Sequence, residues 1–220
     1  MLSFLICCSM HLSGFFKEYK SEFMDAIDFF DTHSEISETL NNYLNIENVV
    51  RAKSIVAPEV AMYSRLTDLV EYKALCIFYI QNGSTDFSIG HFQMKPQFAE
   101  EIEYIVKRNS LKKYKLLVIE ASDFKKQRKI RIDRLMSLKW QCIYLAAFIE
   151  ISKSKTKSWK IKESDELKYW STLYNLGIDS SHELVLQAQS MKQFPRRGFK
   201  FNYSNITMEF YEYFKIHQKN

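Results

Sequence analysis

Turn-forming residues are scarce in this chain. Its 220 residues include 5 glycines and 3 prolines, where ordinary usage is about 7% and 5%. A many-stranded β fold needs such residues at its hairpins, so their scarcity excludes one and leaves helices joined by short polar connections. Cysteine is also sparse: Cys7, Cys8, Cys76 and Cys142. No pair has the Cys-x-x-Cys spacing and the five histidines are scattered, so neither a zinc site nor any other metal or cofactor is expected. Cys76 and Cys142 stand in apolar helical stretches, where cysteine behaves as a small buried hydrophobe, and nothing in the sequence links them. No apolar run is long enough to cross a bilayer.

What is present is apolar and aromatic. A chain that is 46% hydrophobic and 15% aromatic can bury a substantial core and is not disordered throughout. Its length suits one domain, or one with a short appendage. The net charge of +5 suits an anionic partner without choosing between nucleic acid, lipid and peptidoglycan. Much of the excess lies in Lys107, Lys112, Lys113, Lys115, Lys125, Lys126, Arg128, Lys129 and Arg131. No RNA-binding module or helix-turn-helix signature accompanies these residues. They read as a solvated helix face and loop, and no nucleic-acid partner is expected.

Residues 1–16 admit two readings. The stretch 2–16 is mostly apolar and about as long as a signal-peptide core, but no lysine or arginine precedes it. Leu5-Ile6-Cys7 resembles a lipoprotein cleavage site without the small residue before the cysteine. The alternative is a plain amphipathic first helix. An export signal would place the protein in the cell envelope or periplasm; a first helix would leave it in the cytoplasm. Residues 17–220 then form a single domain.

Apolar spacing predicts helices over most of it. One or two amphipathic helices span 15–44, with Phe23, Ile27, Phe30, Ile36, Leu40 and Leu44 on the buried face. Thr32-His33-Ser34 is the expected break, with Ser34 as the cap of the second helix. A run over 45–57 should stop at Pro58, which places Glu59 at or just beyond a helix end. Helices are also expected over 66–81, 97–108, 130–151, 165–176, 181–193 and 206–216, with Asn82-Gly83-Ser84 and Gly177 as stops. Residues 153–162 read as a polar connection and 195–198 as a turn. Between 86 and 96 the helical period fails around Gly90, and a loop or short hairpin fits better.

Three segments carry candidate chemistry. The first is Ile55-Val56-Ala57-Pro58-Glu59, a carboxylate on an apolar helix. The second is Ser88-Ile89-Gly90-His91-Phe92-Gln93-Met94-Lys95-Pro96, and the third Leu173-Tyr174-Asn175-Leu176-Gly177. In this order they resemble the lysozyme-like superfamily, above all lytic transglycosylases and goose-type lysozymes. In that family a helix-ending glutamate is followed by a Gly-(hydrophobic)-Met-Gln-x-x-Pro segment and later by an Ala-Tyr-Asn-x-Gly helix. Gly90, Phe92, Gln93 and Pro96 match the second element; Tyr174, Asn175 and Gly177 match the third. The pattern departs in three places. Met94 follows Gln93 instead of preceding it, Leu173 replaces the alanine, and the 34 positions from Glu59 to Gln93 are about twice the usual spacing. Glu71, 22 positions before Gln93, fits that spacing better but sits inside a helix.

The resemblance implies a mainly α, lysozyme-like helical domain with a small β-hairpin or loop, acting on the β-1,4 linkage of bacterial peptidoglycan without a cofactor. Glu59 is then the catalytic acid, with Glu71 as its alternative. Ser88, Gly90, Gln93, Tyr174 and Asn175 bind substrate, with Tyr174 and Asn175 orienting the glutamate and Gly90 letting backbone approach the sugar. Protonating a glycosidic oxygen requires a carboxyl whose pKa is raised by an apolar site, and Val56, Ala57, Val60 and Ala61 would supply one. A two-carboxylate hydrolase needs a second acid across the sugar, for which only Asp86 offers itself. With no stronger candidate, the expectation is a lytic transglycosylase, in which the sugar's own 6-hydroxyl attacks to give a 1,6-anhydro product. The rival readings are a non-catalytic glycan-binding protein and a basic helical nucleic-acid binder. The sequence sets no oligomeric state.

Overall fold

The computed structural model describes residues 14–63, 69–195 and 200–217, except the side chains of residues 63 and 69–72. Eleven α-helices account for most of this: α1 Gly14–Glu18, α2 Lys20–Thr32, α3 Ser34–Asn41, α4 Ile46–Tyr63, α5 Leu69–Asn82, α6 Pro96–Arg108, α7 Phe124–Leu135, α8 Leu138–Ser158, α9 Glu166–Leu176, α10 His182–Gln189 and α11 Tyr203–His217. A 3-10 helix, Lys112–Leu117, joins α6 to the segment before α7. Among the described residues, strand structure is limited to two isolated antiparallel bridges, Ile89 with Met94 and Phe194 with Phe201. The protein is mainly helical, and no described helix is long and apolar enough to cross a membrane.

Two helices form the centre. α4 packs against α2, α3, α8, α9 and α11. α8 buries every residue from Gln141 to Ile149, so its middle is enclosed on all sides, as expected of a helix without a polar face. Aromatic contacts tie the remaining layers down. Phe23 stacks on Phe210 at 4.0 Å between ring centroids, and Trp170, fully buried, donates its indole N–H to Thr156 Oγ1 at 3.1 Å. Within residues 1–16, those before Gly14 lie outside the described residues. Phe15 and Phe16 belong to α1 and donate their backbone N–H groups to the Glu209 carboxylate of α11, at 3.3 and 2.9 Å. Cys76 and Cys142 are buried, and burial pushes the Cys142 thiol up to about 12.

Four expectations about the elements need correction. α4 does not stop at Pro58 but continues to Tyr63, so Glu59 stands within the helix. Pro58 removes the bond that would have reached the Ser54 carbonyl, at a cost of about 3 kcal/mol. Its neighbours Ile55, Val56, Ala57 and Val60 are all buried, and burial worth roughly 1.5–3 kcal/mol for each large apolar side chain outweighs that loss. Ser34 is the first residue of α3 rather than its cap; the cap position is His33, and Ser34 Oγ donates to Glu38 at 3.1 Å. The long helix over 130–151 is two helices, because Ser137 takes an extended conformation (φ −97°, ψ 122°) as the N-cap of α8. Apolar periodicity runs across this break and conceals it. Finally, 153–162 is not a connection throughout: α8 continues to Ser158, lysine being a good helix former, with Ser152 and Thr156 turned into the core.

The basic stretch is only partly a solvated face. Arg131 is buried and forms a bidentate pair with Glu103, with Nη2 2.6 Å from Oε2 and Nε 3.1 Å from Oε1. Its Nη1 donates to the Tyr79 hydroxyl at 2.6 Å and to Glu100 at 2.7 Å. Tyr144 donates to Glu103 at 2.5 Å. This network fastens α5, α6, α7 and α8 together. Arg128 donates to the Ile80 and Gln81 carbonyls at 3.2 and 3.3 Å, satisfying acceptors left open at the end of α5.

Candidate active site

The segment between α5 and α6 turns back on itself. Ile89 and Met94 exchange both backbone bonds, N to O, at 2.9 and 3.1 Å, and close a four-residue loop in which Gln93 N–H donates to the Gly90 carbonyl. Ile89, Phe92 and Met94 are buried beneath it. Two loop residues have left-handed backbone, Gly90 (φ 71°) and Gln93 (φ 50°). For glutamine that conformation is uncommon and costs about 1–3 kcal/mol. The Gln93 Nε2 donates to the Gly90 carbonyl at 2.8 Å, and the residue lines the cleft above the hairpin.

Gln141 of α8 holds this hairpin from below. Its Nε2 donates to the carbonyls of Ile89 (2.8 Å) and Leu135 (2.7 Å), and its Oε1 accepts from the Phe92 N–H at 3.1 Å. The side chain occupies the space beside Gly90: a Cβ there would lie 1.8 Å from Gln141 Nε2 and 2.8 Å from the Leu135 carbonyl oxygen. Gly90 therefore makes room for a protein amide. The expectation that it admits a sugar to the backbone is corrected on this point, since Gly90 does not line the cleft above the hairpin.

That cleft has a volume of about 860 Å³. Glu59 enters it from α4, Leu75 from α5, Gln97, Phe98 and Glu101 from α6, and Tyr174, Asn175 and Leu176 from α9. The hairpin segment contributes Asp86, Phe87, Ser88, Gln93, Met94 and Lys95. Of the residues singled out from sequence, Glu59, Asp86, Ser88, Gln93, Tyr174 and Asn175 thus share one cavity. Glu71 lies in α5, but its side chain falls outside the described residues. None of Trp140, Trp159 and Trp170 lines the cleft. His91, beside the motif, is exposed and packs on Phe29 with ring centroids 4.8 Å apart.

Tyr174 joins α9 to the hairpin. Its ring sits edge-on between Phe98 and Phe148, at 5.3 and 5.5 Å, and its hydroxyl donates to the Phe92 carbonyl at 2.6 Å. Burial first, and then the negative charge of Glu59, raise the phenol well above its ordinary value, so the proton stays on oxygen to make this bond. Tyr174→Phe should cost about 1–2 kcal/mol, the price of one buried acceptor losing its donor, and should loosen the hairpin. Thermal melts of the variant check this; an unchanged melting temperature would show that the bond to the Phe92 carbonyl contributes nothing.

Asp86 does not suit the role of second acid. It is exposed and pairs with Lys95 across the hairpin at 2.5 Å, a rim interaction worth little. The sequence reading missed Glu101. This carboxyl, half-buried in the cleft wall, is raised above its ordinary value first by burial and then by Asp179, with Glu100 adding and Lys155 opposing. Its folded pKa exceeds its unfolded one, so ionisation costs stability, and the penalty grows as pH rises through that interval. Glu101→Gln should therefore melt higher than the wild type at neutral pH, and the difference should vanish below about pH 4, where both forms of the residue are neutral. Melts at the two pH values test it; a Gln variant less stable at neutral pH would contradict it.

No family model, curated protein or solved structure matches this chain. The site therefore stands on its own geometry. Among the described residues, no group of three or more His, Cys, Asp or Glu side chains is placed to hold a metal ion. One polar atom in the cleft wall stands out. Gln97 Oε1 is buried with no hydrogen-bond donor, although buried acceptors almost always have one. Gln97 and Glu101 are one helical turn apart on α6, which places them on one face. That i, i+4 pair of polar residues directly after Pro96 was the available sequence signal.

Proposed function

We propose that this cleft cleaves the β-1,4 glycosidic linkage of peptidoglycan, as a muramidase or lytic transglycosylase of lysozyme-like design, with Glu59 as the general acid. The observation that carries the reading is the shared cleft. Glu59, Ser88, Gln93, Tyr174 and Asn175 come from three distant parts of the chain, and all line one cavity large enough for a sugar chain to enter. Glu59 would protonate the glycosidic oxygen as the bond to the anomeric carbon breaks. Ser88, the Gln93 Oε1 and Asn175 would hold hydroxyl and acetamido groups, and Phe87 and Phe98 would offer apolar faces to the sugar rings. The α5 helix accounts for the long interval between Glu59 and the hairpin.

This reading puts the protein in the cell envelope, where its substrate is. Incubation of purified sacculi with the protein, followed by mass spectrometry of the soluble fraction, tests it. Released muropeptides support cleavage. Tight binding without product would favour a glycan-binding protein that lacks turnover, and neither binding nor product would end the proposal.

A further inference from the structure

Of the basic residues between 107 and 131, Arg128 and Arg131 hold helices together, and Lys113 donates to the Tyr43 carbonyl at 2.6 Å. Lys107, Lys112 and Lys115 do something else: they line one pocket of about 250 Å³ at the C-terminal end of α6, together with the apolar Val106, Leu111 and Val118. No residue lines both this pocket and the cleft. Local structure accounts for the gathering. The chain leaves α6 through a Schellman turn, in which Leu111 N–H donates to the Val106 carbonyl at 3.0 Å and Ser110 N–H to the Lys107 carbonyl at 3.3 Å. Such turns bring together the side chains that Val106 and Leu111 supply here. Ser110 takes the left-handed position, with φ 51°, where glycine is usual, and its side chain adds a hydroxyl to the lining. The 3-10 helix that follows has three residues per turn, so Lys112 and Lys115 stand on one side of it.

Among the described residues, none of these three lysines has an ion-pair partner. Glu120 is the single acid of the lining, and the end of α6 adds about half a negative charge. Three ammonium groups therefore leave the pocket positive by more than one charge. Its size narrows the occupant. One water takes up about 30 Å³, so a bare inorganic ion would leave most of the space and the whole apolar wall uncovered. A cube of 250 Å³ is about 6 Å on edge, too narrow for a partner's helix of about 10 Å. We infer that this pocket binds a small amphipathic anion, a carboxylate or phosphate monoester on a short aliphatic chain. The head lies among Lys107, Lys112 and Lys115, and the chain covers Val106, Leu111 and Val118. Nothing in this depends on the chemistry of the cleft.

Calorimetric titration of the full chain with octanoate and with octyl phosphate, both kept monomeric, tests it. Saturable binding at one site is expected. Acetate and inorganic phosphate should bind at least about tenfold more weakly, because they leave the apolar wall in water. The double variant Lys112→Gln, Lys115→Gln should lose about tenfold in affinity for the octyl anions, as two exposed charge contacts allow. Both lysines are exposed, so its melting temperature should match the wild type. No saturable binding of either octyl anion, or binding that the double variant leaves unchanged, would overturn the inference. Equal affinity for acetate or inorganic phosphate would overturn the amphipathic class of ligand. Binding to phosphatidylglycerol vesicles without binding of the monomeric octyl anions would overturn it in favour of a membrane surface.

Discussion

Glu59→Gln is expected to lower turnover on sacculi by roughly 10³–10⁴-fold, toward the upper part of the range for general acid–base catalysis, while leaving glycan affinity and thermal stability close to wild type. The substitution keeps the size of the side chain and its capacity to hydrogen-bond but removes the transferable proton. The surroundings make the comparison clean. Ile55, Val56, Ala57 and Val60 of α4 are buried, and a substitution that keeps the size of residue 59 leaves their packing in place. Asp86→Asn is the matched control. It breaks the exposed pair with Lys95, a contact worth at most about 1 kcal/mol, and should reduce turnover only modestly. Muropeptide release by the two variants, each measured beside its melting temperature, decides the matter. Equal losses would make Asp86 a partner in the chemistry, and an active Glu59→Gln would turn attention to Glu71.

Gly90→Ala is expected to destabilise the protein by about 2–4 kcal/mol, combining left-handed backbone strain with overpacking. For a chain of this size that corresponds to a fall in Tm of roughly 5–15 °C. The added methyl would meet Gln141 Nε2 at 1.8 Å and the Leu135 carbonyl at 2.8 Å, and neither can yield easily. Gln141 is bonded at both ends, and Leu135 is the last residue of α7. Gly177→Ala separates the two causes. Gly177 also has positive φ (122°), but a Cβ there would meet nothing within 4 Å, so this variant carries backbone strain alone and should lose less. A Gly90→Ala melting temperature unchanged from the wild type would show that neither strain nor crowding against Gln141 acts there.

Helical character was legible because periodic apolar residues and the scarcity of glycine and proline agree with each other. The corrections fall where a local signal competed with burial. Pro58 is a strong helix breaker by itself, but the apolar residues around it sit at the centre of the molecule, and burial kept α4 continuous. Ser137 is an ordinary capping residue hidden within an apolar run. In the candidate site, the residues grouped in short motifs could be found: Glu59 beside Pro58, Ser88 to Gln93, and Tyr174 with Asn175. Glu101 was passed over, because its only mark in the sequence, the i, i+4 spacing from Gln97, is shared by polar pairs on any amphipathic helix. Gln141 was out of reach. Its partners Ile89 and Phe92 are 52 and 49 positions away, and a single amide within an apolar run carries no mark of what it holds. Gly90 was read as the place where backbone approaches a sugar, whereas the group it accommodates is the Gln141 amide.

Gln141 also bears on how the cleft floor moves. The Phe92 amide lies in an irregular loop, where backbone hydrogens ordinarily exchange with solvent through small local openings. Here its acceptor is the buried end of a side chain whose other end is fastened to the last carbonyl of α7, at the junction with α8. Opening of the amide thus breaks a contact of the same side-chain amide that holds that junction, which ties the floor of the cleft to the central helices. A ligand would therefore meet a surface already fixed before binding, and little ordering entropy would be lost on that side.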